Sequence, residues 1–104
     1  MSEKLRRQLE KALVYIDQNL DKKMTTVHVA KVASISSFHF QRVFSTYLGE
    51  TVGQYILHRR LERAAIMLVN TKSIGITNIA SQFGFENHSA FSRAFKKQFN
   101  ISPS

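Results

Sequence analysis

The segment GFENHSAFSRAFKK, residues 84–97, alternates two kinds of side chain at helical spacing. On a helix turning about 100° per residue, Ala90, Phe91, Ala94 and Phe95 fall in one sector, and His88, Ser89, Ser92, Arg93 and Lys96 in the opposite one. The stretch SFHFQRVFSTYL, residues 37–48, divides in the same way. Phe40, Val43, Phe44 and Tyr47 form its apolar sector, and Ser37, Phe38, Gln41, Arg42 and Ser45 its outer one. The outer groups are hydroxyls, an amide, imidazole and guanidinium, not the Glu and Lys pairs that commonly solvate a helix. They suit base edges and phosphates: Arg bidentate to guanine, Gln to adenine, Ser to a base or a phosphate. Phe38 is the odd member. Its ring could contact thymine methyls or sugar, or belong to the core after all.

Helices must hold these faces in place. Leu5, Leu9, Leu13, Ile16 and Leu20 recur at spacings of three and four and predict a first amphipathic helix over about residues 4–19. Thr25 is placed to cap a short helix through Val27, Ala30, Val32 and Ala33, although His28 stands where a capping box would have Glu. A tight turn at Ser34-Ile35-Ser36 leads into the helix of residues 37–48, with Gly49 just beyond its end. Residues 51–69 form the longest predicted helix, capped by Thr51, and after Gly75 a short helix runs through Ile79, Ala80 and Phe83 to the last one, about residues 87–99. Sustained period-two alternation and hairpin dipeptides are both missing, so the expected fold is all-α with six helices.

The chain repeats itself. VAKVASI, residues 29–35, aligns with IASQFGF, residues 79–85, at an offset of 50, and past the turn the offset becomes 51, pairing Phe40 with Phe91, Arg42 with Arg93 and Phe44 with Phe95. One residue has been gained in the second turn. A short helix with Ala at an inner position, a tight turn and a longer helix make up a helix-turn-helix, so the expected organisation is one such unit in residues 1–50, a linker helix over 51–70 and a second unit in 71–104. A linker of about 19 residues spans about 28 Å, near the roughly 34 Å between successive major-groove faces on one side of B-DNA. Two unlike heads on one chain would then meet an asymmetric site.

Composition narrows the alternatives. Lys and Arg number 15 against 7 Asp and Glu in 104 residues, a net charge of +8, with a pI near 10.2. Such a balance draws polyanions, either nucleic acid or an anionic membrane surface. No cysteine is present, which excludes disulfides and thiolate zinc sites. The N-terminal MSEKLRRQLEK lacks the apolar run of a signal peptide, and no stretch of 18 apolar residues occurs. The expected location is cytoplasmic, with no membrane partner. His28, His39, His58 and His88 are scattered without metal-ligand spacing, no phosphate-cradling glycine loop appears, and the carboxylates are dispersed. No metal, cofactor or enzymatic activity is expected. Sequence-specific DNA binding leads; a charge-driven module on RNA, nonspecific DNA or membrane, and a module gripping an acidic protein, are the rivals.

The runs SSFHFQRVFSTYLGETVGQYILHRRLERAAIML and IASQFGFENHSAFSRAFKKQFNISP resemble the DNA-binding domain of AraC/XylS-type transcription regulators, with a likeness extending from Leu5 to Pro103. The resemblance implies two helix-turn-helix subdomains, homeodomain-like three-helix units, joined by a long rigid helix. It implies double-stranded DNA as partner, with recognition helices in adjacent major grooves of a promoter and RNA polymerase nearby, in an activator of the bacterial cytoplasm and nucleoid. By position, Phe38, His39, Gln41 and Arg42 match the first reading helix, and His88, Ser89, Ala90, Ser92 and Arg93 the second. Thr25, Ser37, Ser45, Arg59, Lys96 and Lys97 are the candidates for phosphate contact. On the linker, Arg59 and Arg63 suit phosphate contact or plain solvation equally, whereas Arg60 is expected to turn inward.

The chain departs from the family pattern twice. SIGITN, residues 73–78, lacks the usual capping box, putting about 1 kcal/mol of capping for the fifth helix at stake. The chain also stops at Ser102-Pro103-Ser104, where the family continues into a final helix. A truncated C-terminus is therefore expected, with a possible effector domain following.

Overall fold

The computed structural model describes residues 1–70 and 75–103. Within them lie six helices: α1 Glu3–Gln18, α2 Thr26–Val32, α3 Ser37–Leu48, α4 Val52–Asn70, α5 Ile76–Gln82 and α6 His88–Phe99. The expected all-α class holds, and each boundary falls within a residue or two of its sequence-based position. Part of the connection between α4 and α5, with Ser73 of the SIGITN segment, lies outside the described residues, as does Ser104.

By compactness the chain divides within α4, into Met1–Ile56 and Leu57–Ser104. In the first unit Ser2 caps α1, its hydroxyl accepting from the Leu5 amide at 3.1 Å. The buried face of α1 is Leu9, Ala12 and Ile16, with Leu20 following. Asn19 ends the helix, donating its side-chain amide to the Tyr15 carbonyl at 2.8 Å. Thr25 caps α2 by accepting from the His28 amide at 3.1 Å. His28 completes no capping box; instead its Nε2 lies 2.9 Å from the Tyr15 hydroxyl and ties α2 to α1. Helix α2 packs on both α1 and α3, and Val29, Ala30, Ala33, Phe40, Val43, Phe44, Val52 and Ile56 complete the core.

Tyr47 does not join that core. It lies on the inner sector of α3 but in the last turn, where it shares a shallow hollow with Leu5 near the start of α1. The packed core ends short of it, and Tyr47 remains 49% exposed. In the second unit Leu61, Ala64, Ile79, Ala80, Phe83, Phe91 and Phe95 are buried, and the Gln98 side chain donates to the His58 carbonyl at 3.3 Å.

Two helix starts contrast. At α4, Thr51 Oγ1 accepts from the Gln54 amide at 3.1 Å while Gln54 Oε1 accepts from the Thr51 amide at 3.0 Å, a reciprocal capping box. Helix α5 starts from Gly75, which supplies no side-chain cap, in keeping with the missing box.

Both helix-turn-helix turns are built from the same hydrogen bonds. In the first, the Ile35 amide reaches the Ala30 carbonyl at 3.1 Å and the Ser34 amide reaches Lys31 at 3.0 Å. In the second, Phe85 reaches Ala80 at 3.0 Å and Gly84 reaches Ser81 at 3.1 Å. Each is a Schellman closure, which needs a left-handed residue just past the helix. Ser34 takes that conformation at φ 61° and Gly84 at φ 83°. The next equivalent residues are the caps Ser36 and Asn87, so the residue gained in the second turn is Glu86.

A side chain in the left-handed region costs about 1–2 kcal/mol, partly offset by the greater unfolded-state freedom of glycine. Ser34→Gly is therefore expected to stabilise the protein by up to about 1 kcal/mol. Gly84→Ala, where an added Cβ meets no atom within 4 Å, is expected to destabilise it by about 1 kcal/mol through backbone strain alone. Urea midpoints at unchanged m-value check these opposite signs.

Candidate nucleic-acid interface

Helix α3 begins at a cap and turns on two phenylalanines. The Ser36 hydroxyl accepts from the His39 amide at 3.3 Å. Phe40 and Phe44, one turn apart, are fully buried with ring centroids 5.6 Å apart, and Tyr55 meets Phe44 edge-on at 5.4 Å. Anchored there, the helix leaves Phe38, His39, Gln41, Arg42 and Ser45 exposed, with Ser37 half-exposed. Phe38 is 73% exposed, so the alternative that it belongs to the core is ruled out. Its ring instead lies 5.7 Å from the Arg42 guanidinium carbon, and Gln41 donates to the Ser37 hydroxyl at 3.3 Å. His39 sits at the flank of this face, lining a hollow with Leu5 and Ser36.

Helix α6 repeats the construction with different chemistry. The Asn87 side-chain oxygen accepts from the Ala90 amide at 2.8 Å. Phe91 and Phe95 are the buried pair, 5.7 Å apart, extended by Phe85 at 5.2 Å from Phe91 and by Phe99 at 4.6 Å from Phe95. His88, Ser89, Arg93, Lys96 and Lys97 are exposed, while Ala90, Ser92 and Ala94 are half-buried. Ser92 Oγ and His88 Nδ1 approach to 3.4 Å. Lys96 and Lys97 occupy the last turn, where positive charge also complements the helix dipole.

The other candidates are more scattered. Thr25 is exposed with its hydroxyl engaged as the α2 cap. Arg59 is half-buried and paired with Glu62 at 3.3 Å, so a phosphate would compete with a carboxylate for it. Arg60 is half-buried, and desolvation lowers its guanidinium pKa from the ordinary value. That environment fits the inward role expected of it.

Charge is distributed unevenly. On α1, Glu3 engages Arg6 and Arg7, the latter at 3.3 Å, and Glu10 engages Arg6 at 2.6 Å. The Arg6 pKa is raised, chiefly by the hydrogen bond its guanidinium donates to the Glu3 carboxylate. Helices α3 and α6 contain no Asp or Glu, so Arg42, Arg93, Lys96 and Lys97 carry positive charge uncompensated on their own helices. Among the described residues, no three His, Asp or Glu side chains gather as metal ligands would, and no helix is long and apolar enough to cross a membrane. The capping residues Ser36 and Asn87, which set where the two faces begin, escaped the sequence reading. Their signal was a Ser or Asn directly ahead of an apolar helical run.

Comparison with known proteins agrees with this architecture. The family described as a helix-turn-helix domain matches residues 29–104. Transcriptional regulator Rob of Salmonella typhimurium is 38% identical over 91 residues, 88% of this chain and 31% of Rob. Regulatory protein SoxS of Escherichia coli K12 is 35% identical over 96 residues, 92% of this chain and 89% of SoxS. The chain thus spans under a third of some relatives, such as Rob, and nearly all of SoxS. Among solved structures, a transcriptional regulator from Chromobacterium violaceum, described as of the AraC-type DNA-binding-domain group, superimposes with a TM-score of 0.89 at 31% identity, covering 94% of this chain and 87% of that one.

The caps generate a test of how the second face is held. Asn87→Ala removes the acceptor of the Ala90 amide and is expected to cost about 1 kcal/mol. Amide hydrogen exchange should locate the loss in the first turn of α6 and leave α3 protected as before.

Proposed function

This chain belongs to the AraC-type family of helix-turn-helix DNA-binding domains, and we propose that it reads duplex DNA with two unlike heads on one chain, α3 and α6. One observation carries the reading. Two equivalent helices bury the same phenylalanine pair, Phe40/Phe44 and Phe91/Phe95, and turn hydroxyl, amide, imidazole and guanidinium groups to the opposite side. In the first head Gln41 and Arg42 supply polar contacts to base edges, with Phe38 against apolar groove atoms and His39 at the flank. In the second, His88, Ser89, Ser92 and Arg93 do so. Phosphate contact falls to Ser37, Ser45, Lys96 and Lys97, with Thr25 and Arg59 at the margins. Direct base readout needs such donors and acceptors at the groove floor, and phosphate contacts set the register.

The proposed organisation is a first unit in residues 1–50, a linker over 51–70 and a second unit in 71–104. Each head faces its own major groove, and because the exposed residues differ between heads the preferred site is asymmetric. Supporting this is the 19-residue α4, about 28 Å long at 1.5 Å per residue. Within a bacterial cytoplasm such a domain acts at promoters, as an activator working beside RNA polymerase. No catalysis enters this reading.

Selection from random duplexes followed by footprinting is expected to return a non-palindromic consensus. Recovery of no consensus would show that charge alone drives binding, and a symmetric palindrome would contradict unlike heads. Against the selected site, Arg93→Ala is expected to lower affinity by about 1 to 3 kcal/mol and to relax preference at one position. An equal loss on random DNA would remove its base-reading role. Lys96→Ala should weaken cognate and random DNA alike and shrink the log–log salt slope by about one phosphate's worth, measured by titration at several salt concentrations.

A further inference from the structure

The most exposed ring on the first reading face has an intramolecular partner. Phe38 is 73% exposed and adds nothing to the core, yet the Arg42 guanidinium carbon lies 5.7 Å from its ring centroid. The two residues stand four apart, and helical side chains lean toward the N-terminus, which brings a residue over the one a turn before it. A guanidinium over an aromatic face is attracted by the ring quadrupole. Since α3 offers no carboxylate, nothing acidic on that helix competes for the charge.

The pairing belongs to a pattern of first-turn residues holding residues one turn later. Gln41 is tied to Ser37, and Ser92 to His88. Arg93 differs: the residue four before it is Ser89, which has no ring to offer.

We propose that Phe38 is a positioning residue for Arg42, its exposed ring holding the guanidinium on the reading face before DNA arrives. The proposal rests on α3 being a reading helix. An arginine carries a large rotamer entropy, and a ring that has already restricted it lowers the cost of ordering it against a base. The first head would then read through a stacked pair, whereas Arg93 in the second head must be ordered by the DNA itself.

The test is a double-mutant cycle of Phe38→Leu and Arg42→Ala, with Phe38→Tyr as the ring-retaining variant, measured on the selected site and its single-base variants. NMR of the DNA-free proteins runs alongside. Phe38→Leu is expected to reduce discrimination about 2- to 5-fold, the size of an exposed cation–π contact, at the base position that Arg42→Ala relaxes. Little further loss should appear in the Arg42→Ala background. The position read by Arg93 should keep its discrimination, and Phe38→Tyr should restore what Phe38→Leu loses. Without DNA, the Arg42 δ-methylene and Nε protons should shift upfield in the wild type and in Phe38→Tyr, and this displacement should vanish in Phe38→Leu.

Full loss persisting in the Arg42→Ala background would show that Phe38 acts by its own DNA contact and overturn the proposal. So would an equal loss at the Arg93 position, or no ring-current difference in the free proteins. If the ring-current shift is present but Arg42→Ala relaxes no base position, the reading role of Arg42 has failed and the proposal falls with it. The DNA-free measurement separates that failure from an absent stack.

Discussion

A helix can face its surroundings in only one rotation at a time, and in this protein two phenylalanine pairs make that choice. Phe40 with Phe44, and Phe91 with Phe95, sit one turn apart on α3 and α6 and are withdrawn from water. Turning either helix about its axis would expose two large rings, losing on the order of 1.5–3 kcal/mol for each. The presentation of Gln41, Arg42, His88 and Arg93 is therefore a consequence of burial elsewhere on the same helix. Those exposed side chains need no interaction with the core to be correctly aimed.

The start of each face is set with similar economy. A Schellman closure ends the short helix, a brief connection follows, and a cap begins the long one. The two copies accomplish this with Ser34 and Ser36 in one case, and Gly84 and Asn87 in the other. Glu86 adds a residue to that connection without altering the turn hydrogen bonds before it or the cap after it. A backbone motif that tolerates such changes leaves the outer faces free to diverge, which is how one duplicated unit can yield two heads of different chemistry.

Charge follows the same division of labour. Glu3 and Glu10 on α1 are engaged by arginines of the same helix, and Glu62 engages Arg59 on α4. Exposed pairs of this kind contribute little to stability, whereas Arg42 on α3 and Arg93, Lys96 and Lys97 on α6 have no acidic residue on their own helix. Exposed positive charge of this kind attracts polyanions and orients their approach.

Much of this was legible in the residues themselves. The apolar spacing, the caps at Thr25 and Thr51 and the offset repeat determined six helices and their duplication, because helix periodicity and capping are local and depend on neighbours within a turn or two. The sector analysis likewise separated Phe91 from Arg93, since both sit on one helix with a known angle per residue. Three features required the tertiary structure. Tyr47 occupies the inner sector by sequence, but how far a core extends along a helix depends on where the neighbouring helix begins, and beside Leu5 near the start of α1 it remains half exposed. The pairing of Arg59 with Glu62 is a choice of side-chain torsion that spacing permits but does not impose. Phe38 could have been core or surface; only packing around the opposite face decided that its ring stays outside, beside a charged group on its own helix.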